Sequence, residues 1–324
     1  MKIQDVFHKY GDGLQRVEMY MTSHLHSEVK LIPEVVHHLI GSGGKRFRPL
    51  LLLVAADLCG YRGDRCYRLA SVIEFIHTAT LLHDDVVDGA STRRGRDSAN
   101  HVWGNAASVL VGDFLYSQAF NLLADDGNMA IMKLLATSTG SMSEGEVFQL
   151  IKCGDTGLTE KEYLSIIEKK TSILISAACA IGGILGSRSE SEIQSLTRFG
   201  MRLGSAFQIT DDILDYAAEE EEFGKAIGKD LQEGKITLPL IHTLKKCSSR
   251  ERKLLKEILT GKEPDIARTG EIMALVERHD GIGYAGQKAA SHIEEAKELL
   301  QAFPDSPART AFFAISDYVL TRRL

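Results

Sequence analysis

Clean alternation of apolar and polar residues is almost absent from this sequence, which argues against a protein built on sheets. Apolar residues return instead every three or four positions, as in Leu69, Val72, Ile73 and Ile76. The chain therefore reads as all-α. Proline is scarce too. The six are Pro33, Pro49, Pro239, Pro264, Pro304 and Pro307, and most sit where helices should start or stop. Five cysteines, Cys59, Cys66, Cys153, Cys179 and Cys247, form no Cys-x-x-Cys pair and read as reduced core residues. No basic excess exists: the formal net charge of -6 argues against a nucleic-acid partner. No uninterrupted apolar run reaches membrane-spanning length, and Met1 to Asp5 lacks the plan of a secretion signal, so the expectation is a cytoplasmic protein without a transmembrane segment. Low-complexity tracts, short repeats and domain linkers are missing as well, and residues 1–324 read as one domain.

What the chain does have is 44% hydrophobic residues, enough for a large core, and two similar acidic motifs. The first is Asp84-Asp85-Val86-Val87-Asp88, preceded by the apolar Leu81-Leu82. On a helix the (i, i+4) spacing puts Asp84 and Asp88 on one face. Two like charges about 6 Å apart repel by roughly 3 kcal/mol at an effective dielectric near 20. Nothing within the motif offsets that repulsion, and a cation would. Carboxylate oxygens with room for water and phosphate oxygens suit Mg²⁺. The second motif, Asp211-Asp212-Ile213-Leu214-Asp215, repeats the geometry with Asp211 and Asp215 one turn apart. A single acidic pair is more often a solvated helix end. Two pairs set among apolar residues point to metal.

Cations recur beside these motifs. Gly43-Gly44-Lys45-Arg46-Phe47-Arg48-Pro49 joins two glycines to three cations just before an apolar helix, a pattern that suits an anion. Arg93-Arg94-Gly95 follows the first motif, Lys169-Lys170-Thr171 lies between two apolar helical stretches, and Gly224-Lys225 to Gly234-Lys235 follows the second motif. Each alone reads as a solvent-exposed basic turn. Together, in an acidic chain, they point to a metal-bridged diphosphate pocket. His77 precedes Asp84 by two helical turns and shares its stripe, where it can donate to an anion.

These residues resemble the trans-isoprenyl diphosphate synthase family from about Ile40 to Pro239, with the motifs in the family's order. Glu144-Gly145-Glu146 to Gln149 also matches. The resemblance implies an isoprenoid synthase fold: one large helical bundle whose motifs face each other across a deep central cavity, usually in a homodimer. It implies Mg²⁺ as cofactor, three ions with substrate bound, held by Asp84, Asp88 and Asp211, with Asp85, Asp212 and Asp215 in support. Arg93, Lys170, Thr171, Gln208, Lys225 and Lys235 would hold an allylic diphosphate such as farnesyl diphosphate. Lys45, Arg48, His77 and Arg94 would hold isopentenyl diphosphate. The implied reaction is ionisation of the allylic substrate, head-to-tail attack by isopentenyl diphosphate and loss of a proton, which fits a chain with no recognisable Ser-His-Asp or reactive-cysteine constellation.

Product length rests on other residues. Burying each added five-carbon unit contributes about 4 kcal/mol before chain-ordering losses, so growth continues until a side chain blocks it. Short-chain members of the family carry aromatics just before the first aspartate motif, whereas this chain has Ala79 and Thr80. A medium or long product is expected, most like that of octaprenyl-type enzymes serving quinone side chains and delivered to a membrane. Phe114 or Phe120 can set the stop deeper in. Three alternatives stay open: a farnesyl or geranylgeranyl diphosphate synthase, a terpene cyclase, and a non-catalytic partner subunit.

Overall fold

The computed structural model describes residues 1–41, 46–217, 228–259 and 268–322. Helices dominate them: α1 (Ile3–Ser23), α2 (Leu31–Gly41), α3 (Phe47–Leu58), α4 (Arg65–Val87), α5 (Ala99–Trp103), α6 (Asn105–Asp126), α7 (Met129–Lys152), α8 (Glu160–Ile167), α9 (Ile173–Leu185), α10 (Glu190–Ala217), α11 (Lys229–Gln232), α12 (Leu238–Lys246), α13 (Ser249–Leu259), α14 (Thr269–Arg278), α15 (Gly281–Leu299) and α16 (Pro307–Thr321). Pro33, Pro49, Pro239 and Pro307 all fall in the first turn of a helix, where a missing N–H costs no hydrogen bond. The all-α expectation holds. Among the described residues the exception is a short hairpin, β1 (Thr92–Arg93) against β2 (Arg96–Asp97), turning on Arg94 and Gly95. Both turn residues have positive φ, 53° and 74°, as a tight two-residue hairpin requires.

The helices group into two compact units. The first comprises Met1–Thr139, Leu174–Thr197 and Leu300–Ile315. Its centre is α4, packed by α1, α3, α5 and α6. Leu69, Val72, Ile73, Phe75, Ile76, Ala79 and Leu82 are all buried, so α4 is apolar around most of its girth, the mark of a central helix. Each large one contributes about 2 kcal/mol of burial. That rigid rod ends at Asp84 to Asp88.

The second unit comprises Gly140–Ile173, Arg198–Leu299 and Ser316–Leu324. α8 begins with a capping box in which Thr159 and Glu162 exchange side-chain and backbone hydrogen bonds, fixing where the helix starts. The helix then widens into a π turn over Glu168–Ser172 before α9. Two glycines let neighbouring backbones reach this turn: a Cβ on Gly145 would lie 2.8 Å from Lys169 Cβ, and one on Gly204 would lie 2.5 Å from Ser172 Cα. Among the described residues no helix is long and apolar enough to cross a membrane.

Candidate active site

In the first unit, Asp84 stands in the last turn of α4 and Asp88 caps it, the Asp88 N–H donating to the Asp84 carbonyl at 2.8 Å. The helix C-terminus adds partial negative charge to a half-buried carboxylate pair. Asp85 points elsewhere. Fully buried, it accepts from Arg93 Nε at 2.8 and 2.9 Å and from Arg93 Nη2 at 2.8 Å, while Asn100 donates to its carbonyl at 3.1 Å. The first-motif aspartates thus divide into a pair at the helix end and one that orients an arginine. Burial beside Asp84 and Asp113 pushes the Tyr116 hydroxyl up to about 12, so it stays protonated.

Arg48 and Arg46 reach α4 about two and nearly three turns before Asp84, at His77 and Glu74. Arg48 Nη1 lies 3.1 Å from His77 Nε2. Arginine can only donate, so this nitrogen must accept and the ring must be neutral with its proton on Nδ1. Burial and the charges of Arg48, Arg94, Arg93 and Arg46 hold the imidazole well below its ordinary value, in agreement. Arg94 sits at the hairpin tip, exposed, its positive φ enforced by the turn. Arg46 pairs with Glu18 at 3.2 Å and Glu74 at 3.1 Å. Lys45 lies outside the described residues.

The second unit carries the other motif near the end of α10. Asp212 is buried, accepting from the Tyr163 hydroxyl at 2.5 Å and from Gln208 Nε2 at 2.8 Å. Gln208 in turn accepts from the Thr171 hydroxyl at 2.8 Å. Lys170, beside it on the π turn, donates to Glu146 and Gln149 at 3.0 and 2.8 Å. Asp215 accepts from the N–H groups of Lys229 and Asp230, both at 3.1 Å, and so ties down the short α11. Asp211 is paired with Arg322, whose guanidinium also donates to the Phe207 carbonyl and lies 3.6 Å over the Phe207 ring. Lys235 pairs with Glu233 at 2.5 Å; Lys225 lies outside the described residues. A cavity of about 90 Å³ opens among Lys170, Thr171, Gln208, Asp212, Asp230 and Lys235. Burial, with Asp215 next to it, pushes the Asp230 carboxyl up to about 7.

Among the described residues no three Asp, Glu, His or Cys side chains converge as a metal cage. Paired carboxylates that leave most positions to water and phosphate oxygens are a donor set that fits Mg²⁺. Ala79 is fully buried in the core around α4, while Thr80 is half-buried with its hydroxyl on the His77 carbonyl at 2.7 Å. The two small residues face different ways, as helical geometry requires. Sequence reasoning missed Tyr163, Asp230 and Arg322. Tyr163 had a usable signal, since it precedes Lys170 by two helical turns. The burial of Asp230 and the reach of Arg322 are products of the fold and had none.

An all-helical chain with two carboxylate helix ends, each beside cations suited to diphosphate, defines a trans-prenyltransferase. The chain belongs to the polyprenyl synthetase family, whose model matches residues 29–276. It is 37% identical to octaprenyl diphosphate synthase of Haemophilus influenzae, covering 98% of this chain and 96% of that enzyme. Among solved structures, the decaprenyl diphosphate synthase of Rhodobacter capsulatus superposes with a TM-score of 0.92 at 40% identity, covering 98% of each chain. The polyprenyl synthase of Caulobacter crescentus, complexed with calcium and isoprenyl diphosphate, does so with 0.94 at 37% identity, covering 100% of this chain and 98% of that one. The fold is accordingly the isoprenoid synthase fold.

Proposed function

We propose that this prenyltransferase condenses isopentenyl diphosphate head-to-tail with an allylic diphosphate to make a medium or long all-trans product, octaprenyl-like, for a quinone side chain. Residues 1–324 act as a single synthase domain in this reading. The observation that carries it is the division of labour along α4: a carboxylate pair, Asp84 and Asp88, at its end, and a separate set of hydrogen-bond donors, the cations Arg48 and Arg94 with the neutral His77, by the turns before it. A terpene cyclase has no use for the second set.

Arg93, oriented by Asp85, together with Lys170, Thr171, Gln208, Lys225 and Lys235, holds the allylic diphosphate. Lys45, Arg48, His77 and Arg94 hold isopentenyl diphosphate, with His77 serving as a neutral Nδ1–H donor. Asp84, Asp88 and Asp211 would hold Mg²⁺, three ions in all with substrate, which would supply charge stabilisation for a departing diphosphate. Asp85, Asp212 and Asp215 keep the motifs in register through the contacts described above. Lys170 and Thr171, fixed by Glu146, Gln149 and Gln208, are preorganised for charge that develops on ionisation. The departed diphosphate takes the proton, and no protein nucleophile is required.

A homodimer fits the surface. In the first unit Leu110 is 67% exposed, with Val109 and Val102 nearby in sequence; in the second unit Ile151 is 70% exposed, with Leu150 and Val147. Large apolar side chains left on a surface favour a second copy as cover. Sedimentation of the purified chain is expected to give twice the chain mass, and a monomer at micromolar concentration would remove this part. We place the enzyme in the cytoplasm, where the free thiols of Cys59, Cys66 and Cys179 stay reduced, handing its product to a membrane.

Diphosphate release tests the reading. It should require Mg²⁺, an allylic diphosphate and isopentenyl diphosphate together, and Asp84→Ala should lower kcat by about 10²–10³ with an unchanged helical circular dichroism spectrum. Release that ignores isopentenyl diphosphate would indicate a cyclase, and no turnover with any allylic primer would indicate a partner subunit.

A further inference from the structure

Arg46 belongs to the cationic turn before α3, yet its geometry differs from that of an anion ligand. Its Nε donates to Glu18 Oε1 at 3.2 Å and its Nη1 to Glu74 Oε1 at 3.1 Å, and only 9% of the side chain is exposed. Two of its three guanidinium nitrogens donate to carboxylates. The backbone is committed too: with φ 44° and ψ 45°, Arg46 takes the left-handed conformation as N-cap of α3, and its carbonyl accepts the Leu50 N–H at 3.0 Å. A non-glycine residue stays there only where its surroundings over-determine it. The two ion pairs do so.

Glu74, 5% exposed, is the buried half of this arrangement. It lies three residues before His77, one turn along α4. Glu74–Arg46 and His77–Arg48 are therefore neighbouring rungs that fasten the start of α3 to α4. Burial raises the Glu74 carboxyl, while Arg46, Arg48 and Arg94 draw it back down. It is also a countercharge within a group of arginines. An amide at this position keeps the shape and loses the charge that fixes the guanidinium.

We propose that Glu74 and Arg46 form a buried positioning pair, which sets Arg48 and His77 for isopentenyl diphosphate while neither residue of the pair contacts the diphosphate. This rests on the reading that Arg48, His77 and Arg94 hold that substrate. The shape of the pair makes it selective, because both rungs lie at the start of α3 and along α4, away from the Asp84–Asp88 end.

Calorimetric titration of isopentenyl diphosphate alone into the full chain tests the pair, since no turnover occurs without an allylic partner. Glu74→Gln and Arg46→Met are each expected to weaken binding about tenfold or more, and the double variant to lose no more than the worse single one, as coupled residues do. Farnesyl diphosphate with Mg²⁺ should bind each variant within about twofold of wild type, because a merely structural loss would weaken both ligands. If Glu74→Gln binds as well as wild type while Arg46→Met does not, Arg46 is itself a ligand and the pair is refuted. Additive losses in the double variant refute it as well. If Glu74→Gln fails to fold, Arg46→Lys carries the test: it keeps the charge, cannot fork to two carboxylates, and must lose isopentenyl diphosphate affinity alone. Arg48→Ala separates the layers. An unchanged affinity there overturns the substrate assignment and this inference with it, whereas a loss there with none in Glu74→Gln overturns the pair only.

Discussion

His77 can hold only one protonation state where it sits. Arg48 occupies the Nε2 lone pair, and the arginines around the ring oppose a second proton. The unfolded chain takes that proton below about pH 6.5 and the folded chain refuses it, so the imidazole's contribution to stability is lost as pH falls through that value. Denaturant unfolding at pH 7.5 and 5.5 should show a smaller pH-dependent loss in His77→Gln than in wild type; equal losses would contradict the tautomer. Tyr163 sets a similar constraint on Asp212. Removing its hydroxyl leaves a buried carboxylate one donor short, at about 1–3 kcal/mol. Tyr163→Phe should lower the urea midpoint accordingly, and an unchanged midpoint would show that the bond contributes nothing.

At the scale of elements, the π turn decides how the second unit is organised. Two of its side chains, Lys170 and Thr171, each reach a partner from another helix, and both glycine contacts exist to admit its extra backbone. Gly145→Ala would press a methyl group into Lys169 and displace Glu146 and Gln149 from Lys170. A fall in kcat of about tenfold or more is expected, following the usual cost of misplaced catalytic groups, with little change in isopentenyl diphosphate affinity. Equal activity would mean the turn relaxes freely. The turn illustrates what local pattern cannot carry. The sequence placed Lys169-Lys170-Thr171 between two helical stretches, but nothing in its periodicity marks the widened register that lies against Gly145 and Gly204. The Arg322–Asp211 pair is a stronger case: 111 residues separate the partners, and no periodicity links them. Arg322→Ala is expected to tighten Mg²⁺ binding in calorimetry, because it removes a competing cation from Asp211; weaker binding would argue that Arg322 holds the motif in shape.

Over the whole molecule, the features legible in advance were those with short-range causes. Helical periodicity and the prolines at helix starts are local, and among the described residues the helices appear as that periodicity implies. The pairing of each charged side chain is not local. Asp85 turned to Arg93, Asp215 to α11 and Arg46 to Glu74 once distant segments came together. Product length joins both kinds of cause, since Ala79 and Thr80 are small by sequence but face different ways by geometry. Farnesyl diphosphate incubated with labelled isopentenyl diphosphate and Mg²⁺, followed by chromatography of the products, addresses it directly. The account predicts chains beyond twenty carbons. Accumulation at twenty carbons or fewer would contradict it.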